Sequence, residues 1–449
     1  MNKWVVSTLL VVALLIAAAG LYMITRFEGP PIDTTAALVP AEATAYASFF
    51  VDPSSDQKKL LRDTVEGARE GLDAASLIED VLDRVTRPFG LPYEDVAPWI
   101  DRQMALFVLP QRGEGVIVEI ADKDAARRAL RGVGGQIFGD HAVFGDAEAV
   151  RAVGEVVAAG PEGSIEGSDS FLYPQAIRDA PRDRLAVAYA TGGDLTSRGV
   201  DLPDGLNAAE LPLGISQGNA ITLRASEEGL VFDGRSYSDG AILLAPSRQM
   251  DLADAAGDAW LAAEIPNLSA AVEALDLELR QAARATGAPS SEIPRFDGIE
   301  GTDRALFWVA GRGIADLSVG LVANTDSEKD SARLARSLAS LPGLPPRLEF
   351  DGRRISAAFG DNSSGRTLSD ESRFIEARAW LDGLEPIGFL DLKKAGTFPA
   401  TLALLVGTQA GRTAGYELPG WLSEVDRIVV GLDGEAGPTH WRLVVSLRR

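Results

Sequence analysis

Residues 214–218 read Gly-Ile-Ser-Gln-Gly, a G-x-S-x-G pattern that nominates Ser216 as a nucleophile. That chemistry needs a strand before the serine, a sharp elbow, a helix after it, and a base within reach. Here the preceding AELPL is brief and the following NAITLRA reads as a strand, so the pattern is read as turn usage. The candidate bases are few: the chain holds two histidines, His141 and His440. His141 follows a Gly139-Asp140 turn and His440 opens the last strand, and both are read as surface residues. A metal site wants three or four converging ligands, which two isolated histidines do not supply. The stretch DNSSGRTLSDE, Asp361 to Glu371, offers oxygen donors for calcium. Its Gly365 falls fifth, where an EF-hand loop needs a ligand, so a solvated loop is expected. No pair of carboxylates stands out for glycoside chemistry. The glycines of RGEG, GVGG and GRGI lack the strand–glycine–helix setting of a phosphate loop. No catalytic, cofactor-binding or metal-binding residue is therefore assigned, and no cofactor is expected.

Composition narrows the classes further. A chain of 449 residues exceeds one small core and predicts two domains, or three at most. Its formal charge of −22 is spread along the sequence, which argues against a nucleic-acid partner. Short basic runs, Arg127-Arg128-Arg131 and Arg353-Arg354, read as solvated surface. The absence of cysteine excludes disulfides, thiolate-ligated metals and thiol nucleophiles.

WVVSTLLVVALLIAAAGLYMIT, residues 4–25, is an uncharged apolar run long enough to cross a bilayer as a helix. With Lys3 before it, the charge bias predicts a cytoplasmic stretch over 1–3, an anchor over 4–25, a spacer over 26–36 and an extracytoplasmic body. The competing reading is a cleaved signal peptide with Ala17–Ala19 at the cleavage site. The apolar FPATLALLVGT, Phe398–Thr408, is too short to span and is expected as a buried helix.

The elements that would have to position any chemistry follow in a regular order. ATAYASFFVD predicts a strand, and the amphipathic DQKKLLRDTVEGAREGLDAASLIEDVLDRV a helix. MALFVLP and GVIVEIAD predict a hairpin, with Asp122 and Asp124 capping a helix over AARRALRGV. QIFGDHAVFGD predicts a second hairpin, AEAVRAVGEVVAAG a helix, and NAITLRASEEG with LVFDGRSYS two more strands. The second half repeats the series: AGDAWLAAEIP, RALFWVAG, LSVGLVANTDSEKDSARLARSLASL, RLEFDGRRISAAFGD, then DRIVVGL and THWRLVVSLRR. SDSFLYPQAI at 168–177 is echoed by DESRFIEARA at 370–379, each an acidic helix opening anchored by Phe171 or Phe374. In the last strand Trp441, Leu443, Val445 and Leu447 share one face. Five elements in one order predict a duplication into lobes 37–245 and 250–449. The expected fold class is α+β, each lobe an antiparallel sheet with helices packed on one side.

The run of LVPAEATAYASFFVDPSSDQ, APWIDRQMALFVLP, VIVEIADKDAARRAL, VFGDAEAVRAV and SIEGSDSFLYPQAI resembles the domain of unknown function 3352, most clearly over residues 37–200. That resemblance implies a bacterial exported protein with an N-terminal anchor. The family has no established activity, so no residue role is carried over. The resulting expectation is a membrane-anchored module of the cell envelope that binds rather than catalyses. Its partner would be an apolar small ligand held between lobes, or another envelope protein. The alternatives are an envelope hydrolase using Ser216 or paired carboxylates, and a structural spacer without ligand.

Overall fold

A computed structural model describes residues 33–51, 54–66, 82–83, 85–110, 112–167, 183–190, 218–237, 250–266, 268, 302–311, 316–339, 347–360, 366–396, 424–433 and 439–448. Sixteen strands lie within them, and they divide between two compact units.

The first unit holds β1 (Ala45–Phe50), β2 (Ile100–Leu109), β3 (Gly113–Ile120), β4 (Gln136–Phe138), β5 (His141–Gly145), β6 (Ala186–Ala190), β7 (Gly218–Ala225) and β8 (Leu230–Tyr237). Its strand order is β4-β5-β3-β2-β1-β6-β7-β8, antiparallel at every pairing. Its helices are α1 (Ser55–Glu66), α2 (Tyr93–Val96), α3 (Lys123–Leu130) and α4 (Ala147–Ala159).

The second unit holds β9 (Ala259–Pro266), β10 (Thr302–Ala310), β11 (Ser318–Thr325), β12 (Arg347–Asp351), β13 (Arg354–Phe359), β14 (Glu385–Asp391), β15 (Val425–Leu432) and β16 (Thr439–Leu447). The order is β12-β13-β11-β10-β9-β14-β15-β16, again antiparallel throughout. Counted within its own unit, each strand has the same neighbours as its counterpart in the first. Its helices are α5 (Glu328–Ala339), α6 (Ser372–Ala379) and α7 (Leu392–Ala395).

Local chemistry explains the elements that the sequence marks well. Asp122 caps α3 by accepting from the Asp124 and Ala125 amides at 2.9 and 3.0 Å. Ser327 does the same for α5, its hydroxyl accepting from the Asp330 amide at 3.2 Å. The β4–β5 and β12–β13 hairpins turn at Gly139 and Gly352, both at φ 59, where a side chain would be strained.

The fold class differs from the α+β expectation. The described chain is mostly antiparallel sheet with few, short helices, rather than sheets backed by a helical layer on one side. The physical reason shows in β1, where Tyr46, Ala47, Ser48, Phe49 and Phe50 are all buried. Successive strand residues point to opposite faces, so five buried in a row means both faces are covered. Each buried Phe contributes roughly 1.5–3 kcal/mol, and a strand carrying several needs no dedicated helix face to be stable. One side of the first unit's core pairs Tyr46, Phe50, Phe107, Val187 and Tyr189 with Ala149, Val150 and Val153 of α4. The second unit sets Ala305, Ala323, Ile355 and Ala357 against Leu334 and Leu338 of α5.

The single-pass membrane expectation is corrected as well. Among the described residues no helix is long and apolar enough to cross a membrane. The longest, α4, has 13 residues, against the roughly 20 that a span requires. The segment on which that expectation was placed, 4–25, lies outside the described residues, and so does 398–408, which was expected as a buried helix.

Candidate functional site

Among the described residues, a concave feature of the first unit is a cleft of about 450 Å³ where α2 and α3 face one another. Gly90, Leu91, Pro98 and Trp99 line it from one side, Ala125, Arg128, Ala129, Gly132 and Val133 from the other. Its walls are fixed by short-range bonds. The Trp99 indole N–H donates to the Asp95 carbonyl at 2.6 Å, and the Ala121 amide donates to the Trp99 carbonyl at 2.8 Å. Trp99 is thereby buried at the base of α2. On α3, Ala126 and Leu130 face the core, while Ala125 and Ala129, one turn apart, face the cleft.

The rim carries charge. Glu94 and Asp95 line it from α2 and Arg128 from α3. Neighbouring charges are paired: Arg87 with Asp83 at 2.5 Å, Lys123 with Asp140 at 2.6 Å, Arg127 with Asp124 at 2.8 Å. These pairs hold Asp83 and Asp140 below the usual carboxylate range. Asp122 is also held low, first by the Ala125 amide that it accepts. The cleft can therefore offer apolar surface, two carboxylates and one guanidinium to a small guest.

The sequence candidates lie elsewhere. His141 is half-buried beside a polar strap at the N-terminal edge of the described chain, its Nε2 3.1 Å from the Thr34 hydroxyl. That hydroxyl donates to Gln103 Oε1 at 3.0 Å, which leaves the imidazole Nε2–H as donor to Thr34. Gln103 Nε2 donates to Asp33 at 2.6 Å and to Ser48 at 2.5 Å, and the Tyr46 hydroxyl donates to Asp33 at 2.7 Å. Burial, and then the Asp33 charge, hold the Tyr46 phenol protonated far above its usual range. Burial pushes His141 down despite the Asp140 and Asp33 carboxylates. The strap ties residues 33–36 to the sheet, and its groups bond to one another rather than facing a cavity.

His440 belongs to the second unit, in β16, where its carbonyl accepts from the Asp433 amide at 2.8 Å. Ser216 lies outside the described residues, and the chain resumes at Gly218 directly as β7. Of the Asp361–Glu371 stretch, residues 361–365 are outside as well. The remainder is structural: Thr367 and Asp370 form a capping box and Glu371 pairs with Lys394 at 3.1 Å. Among the described residues, no three His, Asp or Glu side chains converge as a metal would require. Arg127 and Arg128 are exposed, as expected of solvated surface. Arg354 is half-buried and pairs with Asp254 at 3.1 Å.

Sequence reasoning missed one cluster, in the second unit. Arg373 of α6 donates to Asp391 at 2.6 and 3.1 Å and to Asp426 at 2.8 Å. Burial opposes its charge, and the Asp391 and Asp426 carboxylates override it, so its pKa lies above the usual guanidinium value. Arg427 donates to Glu376 at 2.7 Å and lies over the Trp380 ring, 4.5 Å from its centroid. The partners are 18 to 53 residues apart, and no local pattern marks them. The echo segment 370–379 thus opens a helix that is bolted to β14 and β15, with Phe374 against Phe389 at 5.3 Å. Its counterpart at 168–177 lies outside the described residues.

No family model matches the chain, and no curated protein matches it. Among solved structures it is similar to crystal forms III and I of TP0453, at 11% identity and TM-scores of 0.27 and 0.26. These cover 48% and 47% of this chain, and 82% and 81% of theirs. Likeness at that level carries no argument about fold or function.

Proposed function

We propose that the protein is a non-catalytic binding module of the cell envelope, and that the cleft between α2 and α3 holds a small ligand with an apolar body. The observation that carries this reading is the cleft itself: about 450 Å³, lined by Leu91, Pro98, Trp99 and Val133, within the span typical of small-molecule sites. The extracytoplasmic setting and the kinship with the domain of unknown function 3352 belong to the same proposal. They rest on the sequence patterns quoted above, and neither names a ligand.

Gly132 offers the test. A Cβ there would meet no atom within 4 Å, so a tryptophan can be introduced at the edge of the cleft from open space. The neutral fluorophore N-phenyl-1-naphthylamine should bind saturably to the wild-type protein. Gly132→Trp should lose that signal with its melting temperature unchanged. Equal binding by both proteins, or binding by neither, would overturn the reading.

A further inference from the structure

The charges on and near the cleft divide into two groups, one paired and one not. Asp83, Asp124 and Asp140 each hold a basic partner within 2.8 Å. Glu94, Asp95 and Arg128, the three charged side chains that line the cleft, enter no ion pair among the described residues. Glu94 adds only a weak attraction for Arg87, and Arg128 a weak one for Asp122. Opposite charges on facing walls of one cleft have thus been left available. A ligand can engage them without first breaking an intramolecular pair.

From this we infer that the cleft selects a zwitterion: a primary ammonium and a carboxylate at opposite ends of a small apolar body, as in a short apolar peptide. The inference rests on the reading of the cleft as the binding site. A purely cationic guest would meet Glu94 and Asp95 favourably and Arg128 unfavourably, and a purely anionic guest would meet the reverse. An uncharged guest can lie over the apolar residues but gains nothing from the three exposed charges, which stay in water. Only a molecule carrying both charges satisfies both walls. Its body lies over Leu91, Trp99 and Val133, with Ala125 and Ala129 leaving room because they are small. A volume of about 450 Å³ suits a dipeptide better than a longer chain.

The test uses the full chain and three probes measured by calorimetry: Leu-Leu, its N-acetyl derivative without the ammonium, and its C-terminal amide without the carboxylate. Leu-Leu should bind about fivefold more tightly than either derivative, the size expected for one rim charge pair. The double variant Glu94→Gln/Asp95→Asn should abolish the penalty of acetylation and leave that of amidation. Arg128→Gln should do the opposite. Three probes of equal affinity, or a ranking unmoved by these variants, would overturn the inference. Failure of all three peptides while N-phenyl-1-naphthylamine still binds would overturn it too, and would leave the cleft reading standing. If the fluorophore also fails, the cleft reading falls with it.

Discussion

His141 shows how one side chain changes meaning between sequence and structure. In the sequence it is a lone histidine after a hairpin turn. In the fold it donates to Thr34 in the strap that also holds Asp33, Tyr46, Ser48 and Gln103. Burial lowers its pKa below that of an unfolded histidine. The native state therefore binds fewer protons than the unfolded chain, and stability rises with pH through this group. Its contribution is complete above the unfolded value near 6.5 and is lost as the pH falls through the lower folded value. Between about pH 7.5 and pH 5 the wild-type melting temperature should fall more steeply than that of His141→Gln, whose side chain keeps a donor at the same reach without titrating. Parallel curves would show that His141 is not desolvated. Asp83, Asp122 and Asp140 have lowered values, so their losses come at lower pH and are common to both proteins.

Strand pairs carry the second lesson. In each unit an aromatic ring on one strand covers a glycine on the next: Phe107 over Gly115 between β2 and β3, and Trp308 over Gly320 between β10 and β11. A methyl group at either glycine would collide with the ring, and both rings are buried. Gly320→Ala should therefore cost about 1–3 kcal/mol by overpacking, read from urea unfolding. Gly132→Ala, in open space, should change nothing measurable. Hairpins and capped helices were legible because their signals are short-range: Asp122 sits at the N-cap of α3 as its position implies. Face assignment was less so. Trp441, Leu443, Val445 and Leu447 do alternate with the rest of β16, yet they are half-buried, while Arg442, Val444 and Ser446 on the other face are buried. Hydropathy ranks residues by type, whereas burial depends on what the rest of the unit lays against each face.

At the scale of the whole molecule, the charge of −22 acts through self-repulsion rather than through any one pair. Raising sodium chloride from about 0.02 to about 0.2 M shortens the Debye length from tens of ångströms to under 10 Å, and the melting temperature should rise. A fall would mean that the ion pairs, among them Arg373 with Asp391 and Asp426, outweigh the repulsion.

The sequence by itself determined the strands, the turns and the caps, because alternation, glycine at positive φ and an aspartate before a helix act over a few residues. It also determined what chemistry is missing, since a chain without cysteine cannot form a disulfide. Tertiary structure alone decided that β1 is covered on both faces while β15 and β16 are covered on one, within units that are mostly sheet rather than the expected α+β layers. It also decided that residues 90–99 and 125–133 line an open cleft, and that Arg373 meets Asp391 and Asp426. Those contacts join positions far apart in the chain, where each side chain's partner is set by packing and leaves no periodic trace.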